Sequence, residues 1–359
     1  MRFRSVNLQN FRNLALASVT FAGRRTFLVG ANGQGKSNFL EALGYVTALR
    51  SFRGAEPRAL VGFGADTAGA GFVLEHETLG ESRITVTLGP DGREVAWEQG
   101  RVTRLGDFIG RFPTVAFSAQ DHQLLRGAPA LRRRWLDLTL AAMNPTYLSE
   151  LQSYTRAVAE RNILLKHGGR DAAALTAFEH EAAAHAAPLA AQRAAGVAEL
   201  GGHFGRSYAS LVPEGETAGL AYTPDVPAES AAEFAVRLQR NRPRDLALKS
   251  TTQGPHRDDL ELTLGDRPAR LFASEGQQRC AVLALKLAQA AYFTGHAHVL
   301  PVLLCDDVLG ELDAGRRERF WASLDVGSQV IATGTARPAG AAAWQCLEVA
   351  AGRIIEATD

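Results

Sequence analysis

The chain predicts an α/β fold: a parallel-sheet core of the phosphate-loop kind, an antiparallel β subdomain and an inserted helical lobe. Three observations lead there. Gly30-Ala31-Asn32-Gly33-Gln34-Gly35-Lys36-Ser37 matches G-x-x-x-x-G-K-[ST], a loop that cradles phosphates when it joins a strand to a helix. Far downstream, Val302-Leu303-Leu304-Cys305-Asp306-Asp307 is an apolar strand ending in two acids. Between these, composition shifts after Gln120-Asp121 to Ala-, Leu- and Arg-rich sequence with few β-branched residues, the mark of helices.

The elements follow in chain order. Met1-Arg2-Phe3-Arg4 alternates charged and apolar residues and enters a strand, with no leader-like apolar run. Arg25-Thr26-Phe27-Leu28-Val29 is a short buried strand, and Ser37-Asn38-Phe39-Leu40-Glu41-Ala42-Leu43 begins an amphipathic helix, so the glycines fall at a strand-to-helix turn. There Gly30, Ala31, Asn32, Gly33, Gln34 and Gly35 can offer backbone N–H groups to a triphosphate; Lys36 can reach its β and γ oxygens, and Ser37 can ligate magnesium. ATP or GTP, with Mg2+, are the ligands this loop implies. Phe72–His76 and Ile84–Leu88 alternate as strands, and Gly89-Pro90-Asp91-Gly92 turns the latter into Glu94-Val95-Ala96-Trp97. In the insertion, Leu131, Trp135, Leu138 and Ala142, then Leu148, Leu151, Thr155 and Val158, recur at helical spacing as core stripes. Leu260–Leu264 is a strand, a helix runs from Ser274 to about Thr294, and Val302–Cys305 and Val330–Thr333 are core strands. The boundaries expected are residues 1–118 for the first ATPase half, 119–250 for the helical lobe and 251–359 for the second ATPase half.

Asp306 is placed to hold the magnesium bound to the β and γ phosphates, and Asp307, just beyond, to orient or deprotonate an attacking water. Ser274-Glu275-Gly276-Gln277-Gln278 opens a helix with Ser274 as cap; Gly276 allows close approach, so Ser274, Gly276 and Gln277 can grip an anion. Glu311-Leu312-Asp313 precedes a further helix, with Asp313 as its cap or a contact across a subunit boundary.

Composition narrows the partners. With 39 Lys and Arg against 38 Asp and Glu, the net charge of +1 predicts no strongly basic surface, so any nucleic-acid contact must be local. Arg237, Arg240, Arg242, Arg244, Lys249 and Arg257 oppose only Asp245 between residues 237 and 257, making that stretch the DNA-binding candidate. Arg132–Arg134 and Arg316, Arg317 and Arg319 are further candidates, although clustered charge is more often a solvated face. Cys280, Cys305 and Cys346 lie apart without metal-ligand spacing. The run Val299–Cys305 is too short to cross a membrane, so a cytoplasmic protein without membrane contact is expected.

The phosphate loop, Ser274–Gln278, Asp306-Asp307 and Glu311-Leu312-Asp313 together resemble the ABC-type ATPases. More narrowly, Phe11-Arg12-Asn13, Ser51-Phe52-Arg53, Phe117-Ser118-Ala119-Gln120-Asp121, Arg132–Asp137 and Gly254-Pro255-His256-Arg257-Asp258-Asp259-Leu260 resemble the RecF family of bacterial recombination mediators, over nearly the whole length. The resemblance implies an SMC-like head that binds ATP and closes as a homodimer, Ser274 of one copy covering the triphosphate held by the other. It implies that Gln120 senses magnesium as the Q-loop glutamine. Thr333 stands where many ABC ATPases carry a γ-phosphate-contacting histidine, and Asp307 where glutamate is usual, so a weak, DNA-stimulated ATPase acting as a switch is expected. The implied role is recombinational repair and replication restart on single- and double-stranded DNA, at gaps or junctions, with other mediator proteins and recombinase loading. A transporter ATPase with a membrane partner is the alternative. A chromosome-tethering role with long arms is disfavoured by the lack of a heptad run.

Overall fold

A computed structural model describes residues 1–212, 215–227, 230–308, 313–337 and 344–356. The chain forms two compact units: Met1–Asp121 with Ser210–Pro213 and Leu283–Asp359, and His122–Ala209 with Glu214–Val282.

The first unit holds two sheets, each of six strands. One is antiparallel: β1 (Arg2–Phe11), β2 (Leu14–Thr20), β4 (Ala68–His76), β5 (Gly80–Gly89), β6 (Gly92–Trp97) and β7 (Gly100–Arg101), ordered β2-β1-β4-β5-β6-β7. Alternation dictates its faces. Ala68, Ala70, Phe72, Leu74 and His76 of β4 point inward, as do Ser82, Ile84, Val86 and Leu88 of β5. The other sheet is built from β3 (Arg25–Val29), β8 (Thr114–Ser118), β12 (Val302–Asp306), β13 (Val330–Gly334), β14 (Gln345–Ala350) and β15 (Arg353–Glu356), ordered β15-β14-β3-β13-β12-β8. All its pairs are parallel except β14 with β15. Its central strands are apolar runs buried on both faces, as a parallel sheet requires. Helix α1 (Lys36–Ala48) contributes Phe39, Leu40, Leu43 and Val46 to one core with side chains of both sheets. A short helix α2 (Leu105–Phe108) adds Phe108. The sequence expectation that distant halves of the chain close one parallel sheet is met, since β3 lies between β13 and β14.

The second unit is mostly helical: α3 (Gln123–Arg126), α4 (Pro129–Met143), α5 (Pro145–Lys166), α6 (Ala172–Leu211), α7 (Ala231–Arg240), α8 (Arg242–Leu248) and α9 (Ala269–Phe272). It also carries a small antiparallel sheet of β9 (Ala218–Thr223), β10 (Asp259–Leu264) and β11 (Arg267–Pro268). Helix α10 (Glu275–Ala297) begins in this unit and continues into the first, where α11 (Ala314–Ser323) also lies.

Three expectations are corrected here. The second unit runs past residue 250 to Val282 because β10 pairs with β9, Leu260 opposite Tyr222, and because Arg132 grips Asp259 in a bidentate ion pair at 2.7 and 2.8 Å. Leu260–Leu264 and Ser274–Gln278 therefore belong to the helical unit and not to the nucleotide half. The buried face of α4 is Arg132, Trp135, Leu136, Thr139, Leu140 and Ala142, while Leu131 is exposed; ion pairing of Arg132 turns the helix from its apparent stripe. In α5 the buried side chains are Tyr147, Tyr154, Ala157, Val158, Arg161 and Leu165, and Thr155 faces solvent. Here too polar groups with partners displace the simple apolar pattern, since Tyr147 bonds Asp137 at 2.5 Å and Arg161 bonds Glu179 and Asp245.

Candidate nucleotide site

The phosphate loop leaves the C-terminal end of β3 and enters α1, so its N–H groups precede a helix start that carries no side-chain cap. Backbone geometry fixes the glycines. A Cβ on Gly30 would sit 2.3 Å from the Val349 carbonyl oxygen, and Gly35, at φ 118°, takes a conformation that side chains disfavour. Lys36 is buried against the loop, its ammonium donating to the Gly30 and Ala31 carbonyls at 2.7 and 2.9 Å. It lies in the loop's concavity, where a phosphate would compete for the same charge.

Adjacent strands deliver the acids. β12 ends at Asp306, whose carboxylate accepts a hydrogen bond from Ser37 Oγ at 2.7 Å. Thr333, at the end of neighbouring β13, donates its hydroxyl to Asp306 at 3.2 Å and accepts the Asp307 N–H at 3.0 Å. The hydroxyl expected near a γ-phosphate is thus spent on the acidic pair. Asp307 is exposed and in the left-handed region at φ 55°, which carries its side chain out past the strand end. Burial pushes the Asp306 carboxyl above the usual carboxylate range; the bonds from Ser37 and Thr333 and the Arg53 charge pull it back only in part, and Asp307 adds to the rise. No salt bridge to Asp306 occurs among the described residues. A half-shielded carboxylate and a serine hydroxyl in contact, with hard oxygen donors only, fit a magnesium ion that completes its shell with water and phosphate oxygens. Gln120 is exposed two residues beyond Ser118, which is the register partner of Asp306, so its backbone leaves the same sheet edge. Its neighbour Asp121 is anchored, accepting the Ser118 N–H at 2.7 Å and standing 3.9 Å from buried Lys286. Burial lowers the pKa of that lysine and Asp121 opposes the shift.

Two supports for the loop were not assigned from sequence. Asn13 reaches the Gly33 carbonyl at 3.4 Å and accepts from Asn38 at 2.7 Å. Gln34 accepts the Ala351 N–H on its side chain at 2.6 Å and the Gly352 N–H on its backbone at 3.1 Å, which latches the β14–β15 turn to the loop. Behind α1, fully buried Glu41 accepts both arms of the Arg12 guanidinium at 2.6 and 2.9 Å, lies 3.4 Å from Arg53 and accepts the Ser51 hydroxyl. Phe11-Arg12-Asn13 and Ser51-Phe52-Arg53 thereby converge on one carboxylate of the loop's own helix. In the sequence the two motifs stood out only through the family resemblance, with no sign that they meet at Glu41.

In the helical unit, Ser274 accepts the Gln277 N–H at 3.3 Å while Gln277 returns its side chain to the Ser274 N–H at 2.8 Å, a reciprocal cap. Gln277 also donates to Glu216, and Gln278 accepts from Arg126 at 2.6 Å, so both glutamines hold the helix start in place; Ser274 and Gly276 remain at its surface. Asp313 caps α11 through the Arg316 N–H at 2.8 Å, and this bond holds its carboxyl below the usual range. Glu311 and Leu312 lie outside the described residues.

The basic stretch divides. Arg240, Arg244, Lys249 and Arg257 are exposed and Arg237 is half-buried. Arg242 is corrected: it forms a forked ion pair with buried Glu179, closest approach 2.5 Å, because that carboxylate needs a second cation beside Arg161. Asp245, the one acid of the stretch, is withdrawn to a buried pair with Arg161 at 2.7 Å, leaving the outward charges cationic. Arg132 and Arg133 are likewise engaged, with Asp259 and the Asp258 carbonyl, and Arg316 pairs with Asp313.

The sheet order, the phosphate loop with the acid-tipped strand β12 one place beyond its neighbour β13, and the capped signature segment define an ABC-type ATPase head of the SMC-like kind. A family model described as the RecF/RecN/SMC N-terminal domain matches residues 2–353. The DNA replication and repair protein RecF of Thermosynechococcus vestitus is 36% identical, the match covering 100% of this chain and 98% of that protein. RecF of Streptococcus thermophilus is 31% identical over 93% of this chain and 92% of its own. A solved structure titled RecF-ATP in the RecFOR pathway superposes with a TM-score of 0.91 at 26% identity, covering 99% of this chain and 97% of that one. An Smc head domain from Pyrococcus furiosus, at TM-score 0.54 and 17% identity, shares the fold alone. The chain belongs to the RecF family of DNA replication and repair proteins. That membership does not favour the transporter alternative, and no helix among the described residues is long and apolar enough to cross a membrane.

Proposed function

We propose that this protein binds ATP with magnesium at Gly30–Ser37 and uses it to close two copies on DNA during recombinational repair and replication restart. The observation that carries the reading is the meeting of Ser37 and Asp306 at 2.7 Å beside Lys36, from segments far apart in sequence. Magnesium would neutralise phosphate charge there. Lys36 binds phosphate oxygens, Asp306 and Ser37 hold the metal side, Thr333 orients both acids, and Gln120 reports from the sheet edge.

Asp307 is the residue placed to accept a proton from water. Its carboxylate is one methylene shorter than glutamate, and general-base help is worth about 10²–10⁴ in rate, so turnover is slow and DNA-stimulated while ATP binding is intact. Ser274 and Gly276 of a second copy cover the triphosphate. DNA lies along Arg237, Arg240, Arg244, Lys249 and Arg257, gapped or junction DNA being the substrate class, and other mediator proteins then load recombinase. The similarity to RecF proteins, one of them solved as RecF-ATP, supports this assignment.

Sedimentation with ATP, ADP or no nucleotide tests it. Wild type is expected to double in mass with ATP only, and Lys36→Met to remain monomeric. Mixing inactive Lys36→Met with inactive Ser274→Arg should restore one working site; an unchanged mass with ATP, or no restored turnover, overturns the reading.

A further inference from the structure

Of the surface points that leave large apolar side chains in water, two lie close in sequence or through hydrogen bonds to the nucleotide-binding segments. Phe63 has a relative exposure of 110%, and Leu271 and Phe272 stand at 72% and 62%. Phe63 does not dangle from a slack loop. Its segment is pinned to the β1–β2 turn by the Gly62 N–H to the Asn10 carbonyl at 2.7 Å and the Arg12 N–H to the Leu60 carbonyl at 2.8 Å. A Cβ on Gly62 would lie 2.9 Å from the Arg12 carbonyl, and Gly64 follows at φ 80°, so glycines on both sides let the chain turn Phe63 outward. That same turn carries Asn13, which touches the phosphate loop at Gly33. The segment of Phe63 and the phosphate loop are thus tied to one and the same β1–β2 turn. Leu271 and Phe272 end α9, immediately before Ser274, with the Arg267 guanidinium 5.8 Å from the Phe272 ring centre. They stand on the rim of the signature segment.

We infer that Phe63 of one copy packs against Leu271 and Phe272 of a second copy when the two close over nucleotide. This rests on the two-copy reading above, in which the phosphate loop of one copy meets the signature of the other and brings these two points together. Charge agrees: exposed Glu56 and Asp66 outnumber Arg58 around Phe63, whereas around Phe272 the three cations Arg267, Arg270 and Arg279 exceed the two acids Asp266 and Glu275, the last of which pairs with Arg279. Apolar anchors ringed by opposite charge are the makeup of interface hot spots, with the acidic rim steering onto the basic one.

Sedimentation equilibrium with ATP decides it, run on wild type, Phe63→Ser, Phe272→Ser and the double variant, each first checked for an unchanged melting curve and for binding of a fluorescent ATP analogue as monomer. Each single variant is expected to weaken the dimer by about tenfold or more, and the double variant by less than the product of the two, because both remove one contact. If wild type dimerises and the variants dimerise equally well, the docking is wrong while the two-copy reading stands. If wild type does not dimerise with ATP, both fall. If the variants dimerise normally but lose affinity for single-stranded DNA, the inference is again overturned, and Phe63 is a base-stacking residue instead.

Discussion

Two kinds of buried acid handle charge in opposite ways. In the helical unit, Arg161 is wholly buried between Glu179 and Asp245, and Arg193 is held by Asp137 and Asp258 at 2.9 and 2.8 Å, with Tyr147 and Tyr222 completing the bonds to these acids. Every one of these acids has its cation. In the ATPase unit, Asp306 is half-buried with two hydroxyl donors and no salt bridge among the described residues, and its carboxyl is raised by that burial. Closed ion networks fix a shape, whereas an acid left short of positive charge can take up a cation. The contrast separates acids that hold geometry, Glu41 of the ATPase unit among them, from the one placed to hold ligand.

The most severe way to break the contrast is Arg193→Ala. It strands Asp137 and Asp258, and urea unfolding should show a loss of about 3–5 kcal/mol. Asp306→Asn should do the reverse without nucleotide, leaving the urea midpoint unchanged or higher, while magnesium-dependent ATP binding measured by calorimetry falls at least about tenfold, or about 1.4 kcal/mol. A large destabilisation by that variant would refute the idea of a spare acid. Two neighbouring arginines sharpen the division further. Arg242→Ala should cost about 1 kcal/mol in stability because Glu179 loses a partner. Arg240→Ala should leave stability alone and reduce the slope of log DNA affinity against log salt by about 0.9.

The smallest effect is in pH. A carboxyl raised in the fold contributes stability below the ordinary aspartate pKa and loses it as pH rises through its own folded value. Nucleotide-free protein should therefore soften slightly across the mildly acidic range. Magnesium-ATP affinity should climb across the same window, since the metal needs the ionised form; calorimetry in buffers of differing ionisation heat should register the proton released. Flat affinity there would mean that Asp306 is not the metal ligand.

What the sequence made legible follows from how local each requirement is. Gly30–Ser37 could be placed because close approach to Val349 and the turn at Gly35 demand those residue types at that spacing, and Val302–Asp306 because a strand buried on both faces must be apolar until it meets solvent. The hub at Glu41 was hidden, since nothing local in Phe11-Arg12-Asn13 or Ser51-Phe52-Arg53 shows that both meet one carboxylate of α1. The end of the helical unit at Val282 was hidden too. A period-two pattern at 260–264 announces a strand and says nothing about whether β9 or the central sheet will be its partner. The helix faces were misjudged where Arg132 and Arg161, not leucines, choose the inward side.

The bond between Gln34 and the Ala351–Gly352 turn, with β3 seated between β13 and β14, also sets a schedule. A chain emerging from the ribosome exposes its phosphate loop early but cannot finish the wall around it until residues 345–356 are translated. Stalled or truncated products would thus lack a competent nucleotide pocket, so a fragment released too soon could not close around a triphosphate and occupy DNA unproductively.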